Sequence, residues 1–173
     1  MSHEGGTLSS IDFRFTYTGH GWAHATISDG VTIYEMSPSY VPQDPLFALI
    51  AAVDRVLAYG GEAECTWQYE PPADRWTLKR DGDTLHIIIS GVDDGFSHPN
   101  WPTERGALAF SATCNVWAFA ARVRTAASRL LPADESYHEP TRVRETPEYR
   151  ALCAHLDRHK RERGHTPTND VRP

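Results

Sequence analysis

The passage that most constrains the fold runs from Ser37 to Arg80, because it contains the end of a strand, a complete amphipathic helix and an antiparallel hairpin. Asp44 can accept hydrogen bonds from first-turn amides, and Pro45 takes the first helical position, where a missing N–H costs nothing. Gly60-Gly61 then provides a left-handed stop. An apolar stripe recurs at three- and four-residue spacing and predicts a helix lying on a sheet: Leu46, Leu49, Ile50, Val53, Val56 and Leu57.

Alternation of apolar and polar residues predicts strands on both sides of that helix. Phe13, Phe15 and Tyr17 alternate with polar residues near the start, and Asp29-Gly30 is typical of a tight hairpin. Asp81-Gly82 marks the clearest hairpin of the chain. The predicted strands are 11–17, 22–28 and 31–36 before the helix, and 62–69, 75–80, 85–89 and 107–113 after it.

Two further helices are predicted by their caps. Asn115 precedes an apolar stripe in 116–131, and Thr146-Pro147 opens a third helix whose basic end suits a helix C-terminus. These elements predict an α+β fold: a mainly antiparallel sheet of about six to seven strands, with two helices packed on one face and a third C-terminal helix. One domain is expected at 11–163, with a flexible leader at 1–10 and a disordered tail at 164–173.

Composition and charge exclude several classes of protein. The chain has 40% hydrophobic and 23% charged residues, as ordinary globular proteins do, and has no apolar run long enough to span a membrane or to form a secretory signal. A cytoplasmic location is therefore expected. The net charge of -6 argues against nucleic-acid binding; it suits a basic protein partner, although most acidic proteins are simply soluble. Three widely spaced cysteines favour reduced, packed thiols.

A resemblance lies in the same central passage, in the run SYVPQDPLFALIAAVDRVLAYGGEAECTWQYEPPADRWTLKRDGDTLHIII. It resembles a family of small uncharacterised actinobacterial proteins with a Ser-Tyr segment, an apolar helix, a Trp strand, a Glu-Pro turn, and an Arg-Trp strand followed by Asp-Gly. The resemblance covers roughly residues 12–92. It implies a fold but no activity. The matching residues are Ser39, Tyr40, Leu46, Trp67, Glu70, Pro71, Arg75, Trp76, Asp81 and Gly82.

The first candidate site is the long loop at 91–105. It carries Asp93, Asp94 and His98, which are metal-ligand types, but zinc or calcium needs three or four converging ligands and adjacent aspartates tend to diverge. A solvated surface loop is the favoured interpretation. No cofactor is expected.

Tryptophans form the second candidate site. Trp22, Trp67 and Trp76 lie on predicted strands and Trp101 lies in the loop, so together they can line an apolar ligand pocket or anchor a partner. Core packing of the strand tryptophans is the favoured alternative.

Histidine pairs are the third. His155 and His159 share a helix face at the spacing of zinc metalloproteases, but Leu156 stands where those enzymes have glutamate, so a solvated basic helix is favoured. His20 and His24 near a turn suit acid–base work only with a carboxylate that spacing does not assign.

No nucleophile elbow or phosphate-binding loop is present in the sequence. The chain is therefore interpreted as a non-enzymatic protein-interaction module, immunity- or regulator-like, with an open sheet face presenting Tyr34, Thr66, Gln68 and Lys79. The alternative is a small-molecule- or metal-binding protein, or an enzyme, that uses the 91–105 loop.

Overall fold

The computed structural model describes residues 8–70, 72–93, 106–130 and 140–164. Within that part of the chain lie seven strands, three α-helices and a short 3-10 helix at Pro140–Glu145. The α+β class is confirmed. The strands are β1 (Asp12–Gly19), β2 (Trp22–Ser28), β3 (Ile33–Met36), β4 (Gly61–Gln68), β5 (Ala73–Asp81), β6 (Thr84–Val92) and β7 (Ala107–Asn115), and the helices are α1 (Pro45–Tyr59), α2 (Val116–Ser128) and α3 (Pro147–Gly164).

The strands do not form the single sheet that the sequence predicts. They form two antiparallel sheets, one of three strands in the order β1-β2-β3 and one of four in the order β4-β5-β6-β7. Ser39 joins the two through isolated bridges to Trp22 on one side and Gln68 on the other. On the β2 side the Pro38 carbonyl accepts from the Ala23 amide at 2.8 Å and the Tyr40 amide donates to the Gly21 carbonyl at 3.0 Å, whereas on the β4 side the Ser39 amide donates to the Gln68 carbonyl at 2.7 Å.

The first helix matches its prediction from cap to cap. The Asp44 side chain accepts from the Phe47 amide at 3.0 Å, and the Gly60 amide donates to the Val56 carbonyl at 3.0 Å. Gly60 has a φ of 68°, a conformation that favours glycine. The Arg80 guanidinium of β5 also donates to the Val56 and Leu57 carbonyls, at 3.1 and 2.9 Å. These bonds fix the C-terminal end of α1 against the four-stranded sheet.

The hairpins follow the turn residues, with shifted ends. Gly82 has a φ of 57° in the β5–β6 turn, as Asp81-Gly82 predicts. Strand β5 begins at Ala73, two residues before its predicted start, and β3 begins at Ile33, two residues after. The delay in β3 has a local cause, because the Asp29 carboxylate accepts from the amides of Val31 and Thr32 at 2.9 and 2.7 Å and holds them in the turn.

The core lies between the four-stranded sheet and a layer made of β1 and the helices. The Phe13 ring of β1 lies 6.4 Å from the Trp67 ring, 6.3 Å from the Trp76 ring and 6.2 Å from the Phe119 ring of α2. Helix α1 packs against β4 and β5, and α2 packs against β1 and β7. The three-stranded sheet therefore shares one face of the larger sheet with the helices.

The last two helices begin at their predicted caps. Asn115 accepts from the amides of Trp117 and Ala118, and the Thr146 hydroxyl accepts from Tyr149. Helix α3 packs on α1 and α2. Among the residues that the structure describes, no helix combines the length and apolar character needed to cross a bilayer.

Candidate functional site

The predicted tryptophan site divides between the interior and other parts of the molecule. Trp67 and Trp76 are 0% exposed, and their ring centroids lie 4.8 Å apart in the core. Trp22 is half-buried at the start of β2, and Trp101 lies outside the described residues. The structure thus brings two of the four tryptophans together as packing residues, and a ligand role for the set stays a prediction.

The predicted metal residues lie mostly beyond the described ranges. Asp93 is exposed just after β6, whereas Asp94 and His98 fall in the part of the loop that is not described. Within the described ranges, no group of three or more His, Cys, Asp or Glu side chains is arranged to hold a metal ion.

The histidines of α3 face neighbouring helices, contrary to the solvated face that the sequence favours. His155 Nε2 lies 3.4 Å from Asp54 Oδ1 of α1, and the His159 ring stacks on Trp117 of α2 with 4.0 Å between centroids. Burial raises the pKa of Asp54, and the nearby His155 lowers it. Both histidines therefore serve to dock α3. Of the other pair, His20 lies in the β1–β2 turn with a φ of 54°, and His24 lies on β2.

A buried carboxylate that the sequence did not reveal lies where the two sheets meet. Asp74 of β5 is 3% exposed and accepts from the Tyr69 hydroxyl at 2.5 Å and from the Tyr34 hydroxyl of β3 at 3.0 Å. Burial raises the pKa of Asp74, while the hydrogen bonds from Tyr69 and Tyr34 lower it. Burial also raises the pKa of both phenols, so they remain donors at neutral pH. This group ties β3 to β5.

A second carboxylate that accepts a hydrogen bond from a tyrosine hydroxyl lies at the start of α1. Asp44 accepts from the Tyr17 hydroxyl of β1 at 2.5 Å while it caps the helix. Burial raises the pKa of Asp44 above its ordinary value, and these hydrogen bonds act in the opposite direction. Both carboxylates act as joints between sheets and helix, because Asp74 accepts from the Tyr34 hydroxyl of β3 and Asp44 links the Tyr17 hydroxyl of β1 to the first turn of α1.

The open sheet face predicted from sequence is smaller than expected. Tyr34 does not belong to it, since its hydroxyl reaches Asp74 and its ring stacks on Phe110 at 6.5 Å. Near the centre of that face, Arg75 and Thr77 of β5 are only 4% and 1% exposed. The exposed part lies towards β4, where Glu62 and Glu64 are exposed and Lys79 pairs with Glu62 at 3.0 Å.

A groove of about 560 Å³ runs between α1 and the outer edge of β4. Successive strand residues point to opposite faces, so a groove lined by four consecutive residues must follow the edge of the strand rather than one face. The helix contributes alanines and one arginine at three- and four-residue spacing. The short alanine side chains leave space between the helix and the strand. The lining residues are Gln43, Ala48, Ala51, Ala52, Arg55, Glu62, Ala63, Glu64 and Cys65.

The groove offers binding surface rather than nucleophilic chemistry. Burial raises the pKa of the Cys65 thiol, and the adjacent Glu64 charge raises it further. A protonated thiol is a poor nucleophile. Sequence reasoning missed the groove, although the alanine spacing in α1 was a signal for it.

Comparison with known proteins adds little. No family model and no curated protein matches the chain, so the resemblance to uncharacterised actinobacterial proteins stays a prediction. Among solved structures, the chain is similar to the "CdiA-CT/CdiI toxin and immunity complex from Enterobacter cloacae", with 9% sequence identity, a TM-score of 0.46, and coverage of 67% of this chain and 99% of that chain. A likeness at this level supports no conclusion about function.

Proposed function

We propose that this protein is a non-enzymatic interaction module that binds a partner protein along the outer edge of β4. The observation that supports it is the groove beside that edge, lined by consecutive residues from Glu62 to Cys65 and by the alanines of α1. An exposed strand edge presents main-chain donors and acceptors that a partner can satisfy.

The rest of the molecule supports binding over catalysis. The carboxylates of Asp74 and Asp44 are used as joints, and burial keeps the Cys65 thiol of the groove protonated. An immunity- or regulator-like role, in which binding restrains the activity of a partner, suits an acidic module of this kind. The net charge of -6 favours a basic partner.

The test is a capture experiment with a blocked groove. Ala51 lines the groove, so Ala51→Trp fills it; Ala154 is exposed on α3 away from it, so Ala154→Trp is the matched control. We expect the wild type and Ala154→Trp to retain one partner from the native lysate at equal yield and Ala51→Trp to lose it. Equal retention by all three proteins would remove the groove as the binding site, and no partner even after chemical crosslinking would remove the function.

A further inference from the structure

The direction of the main-chain groups along β4 follows from one hydrogen bond. The Ser39 amide donates to the Gln68 carbonyl at 2.7 Å, on the side of β4 opposite β5. Main-chain groups of a strand alternate in direction residue by residue. The N–H and C=O groups of Glu62, Glu64 and Thr66 therefore also point away from β5, towards the groove.

Ser39 already occupies one end of this edge as a single added strand residue. It bridges β2 and β4 in antiparallel fashion. In the direction of Gly61, no hydrogen bond between main-chain groups of described residues reaches Glu62, Glu64 or Thr66 on that side. Among the described residues, the edge is thus paired at Gln68 and has no main-chain partner at the next three outward-facing positions.

Charge along the open part is negative on one face. The side chains of Glu62 and Glu64 are exposed on the face away from the core. Glu62 has an ion-pair partner in Lys79, whereas Glu64 accepts from the Thr77 hydroxyl, at 3.2 Å. No cation of the described residues lies within ion-pair distance of Glu64. An added strand therefore meets the Glu64 carboxylate, which has no ion pair with a described residue, on a face where opposite charges in neighbouring strands attract.

The other face of an added strand meets different chemistry. It lies against Ala48, Ala51 and Ala52 of α1, with Arg55 beside them. Small uncharged or apolar side chains fit there, and a second row of basic residues is disfavoured by Arg55. A partner strand must therefore alternate basic residues on one face with small or apolar residues on the other.

A second copy of this chain does not satisfy these requirements. Antiparallel pairing of two β4 edges brings Glu62 and Glu64 of one copy against the same acidic segment of the other, and like charges in neighbouring strands are destabilising. The glutamates protect the edge from self-association, as charges on exposed edges commonly do.

We infer that the partner contributes an extended segment that adds to β4 as a further strand, with lysine or arginine at alternate positions beside Glu62 and Glu64 and small or apolar residues towards α1. This inference rests on the proposed function and specifies the chemistry of the partner.

The experiment uses amide exchange measured by NMR with synthetic peptides. The probe is a seven-residue capped peptide in which lysine alternates with valine, and its control replaces each lysine by glutamate. With the lysine peptide, exchange of the Glu62, Glu64 and Thr66 amides is expected to slow, while the Ala63 and Cys65 amides, which face β5, stay unchanged. The glutamate peptide is expected to protect none of them.

Two variants separate main-chain addition from charge recognition. Glu62→Gln with Glu64→Gln keeps the edge and removes the charge, so binding of the lysine peptide is expected to weaken about three- to tenfold. Glu35→Gln, an exposed acid on β3, is the matched control and is expected to change nothing.

Several results would overturn the inference. These are equal affinity of the double variant, absence of alternating protection at millimolar peptide, or protection of Glu62, Glu64 and Thr66 in the free protein, which would show that its own chain holds the edge. If Ala51→Trp abolishes partner capture while the peptide pattern is absent, the proposed function stands and only this inference fails.

Discussion

The contact between the two sheets at Trp67 and Asp74, here called the join, differs from the outer edge of β4 in how its residues are bonded, although both involve the same strand. At the join, Trp67 packs on Trp76, and the nearby Asp74 receives two phenol hydroxyls. Along the edge, alternate residues of the same strand turn their side chains to solvent and their main-chain groups to a groove. The buried contacts of the join therefore set stability, whereas the edge residues, whose outward main-chain groups have no main-chain partner among the described residues, are available for binding.

Removal of a core tryptophan is expected to have the largest effect on the join. Trp76→Ala should lower the free energy of unfolding by about 3–5 kcal/mol, because it leaves a cavity beside the rings of Phe13 and Trp67. Trp76→Phe should cost clearly less, since it keeps most of the ring and removes an indole N–H that has no acceptor among the described residues. Urea unfolding followed by circular dichroism measures both. A loss below about 1 kcal/mol for Trp76→Ala would contradict the role assigned to the core.

The buried carboxylate is expected to come next. Asp74→Ala leaves the hydroxyls of Tyr34 and Tyr69 without their acceptor, so the free energy of unfolding should fall by about 1–3 kcal/mol. Asp74→Asn keeps an acceptor oxygen and is the control, with a smaller loss expected. If the two variants unfold at the same urea concentration, the hydrogen bonds from Tyr34 and Tyr69 do not stabilise the contact between the sheets.

Ser39 lies at the boundary between the join and the edge of β4, and its substitution is expected to have an intermediate effect on stability. Its hydroxyl donates to Glu70 at 2.7 Å and accepts from the Val41 amide at 3.1 Å. Ser39→Ala should lower stability by about 1 kcal/mol because both partners lose a bond. The main-chain bond to Gln68 is retained, so peptide binding should persist. Thermal unfolding and the amide-exchange titration check the two halves of this prediction.

The pH dependence of stability tests the ionisation of Asp74 separately. Its pKa is raised in the folded protein, so the folded state binds the proton more tightly than the unfolded chain does. The stabilising contribution of this group is therefore present below its ordinary pKa of about 3.9, and it is lost as the pH rises through the raised value. The unfolding free energies of wild type and Asp74→Asn are measured in urea from pH 4 to 7. As the pH rises, wild type should lose stability relative to the variant. A difference that does not change with pH would show that Asp74 has an ordinary pKa.

The edge should give the smallest effect on stability. Glu64→Gln is exposed and keeps an oxygen for the Thr77 hydroxyl, so the free energy of unfolding should change by less than about 0.5 kcal/mol. Binding of the lysine peptide should nevertheless weaken. A variant that loses stability and binding together would place Glu64 in the join rather than at the edge.

Local signals made a large part of the fold predictable. The cap residues Asp44 and Asn115, the Gly60 stop and the Asp81-Gly82 turn each act within a few residues of chain, and all four are found where they were expected. The burial of Trp67 and Trp76 agrees with the core packing that their alternation favoured.

The candidate site was not predictable in the same way. Tyr34 and Asp74 are separated by 40 positions, and nothing in the spacing of either indicates the other. Asp74 was also hidden because the strand predicted at 75–80 begins one residue too late to include it, whereas β5 begins at Ala73. The groove exists because β4 is the edge strand of its sheet, and local sequence patterns do not indicate the order of strands in a sheet.

The sequence by itself determined the helices and strands with their caps and turns, because these follow from interactions between residues close together in the chain. It also determined the acidic net charge, which follows from composition alone. Tertiary structure decided that the strands divide into two sheets at Ser39, that two carboxylates serve as joints, and that a groove lies between β4 and the alanines of α1. The physical reason is that strand partners and buried hydrogen bonds are chosen among residues far apart in sequence, and only the folded chain brings them within reach.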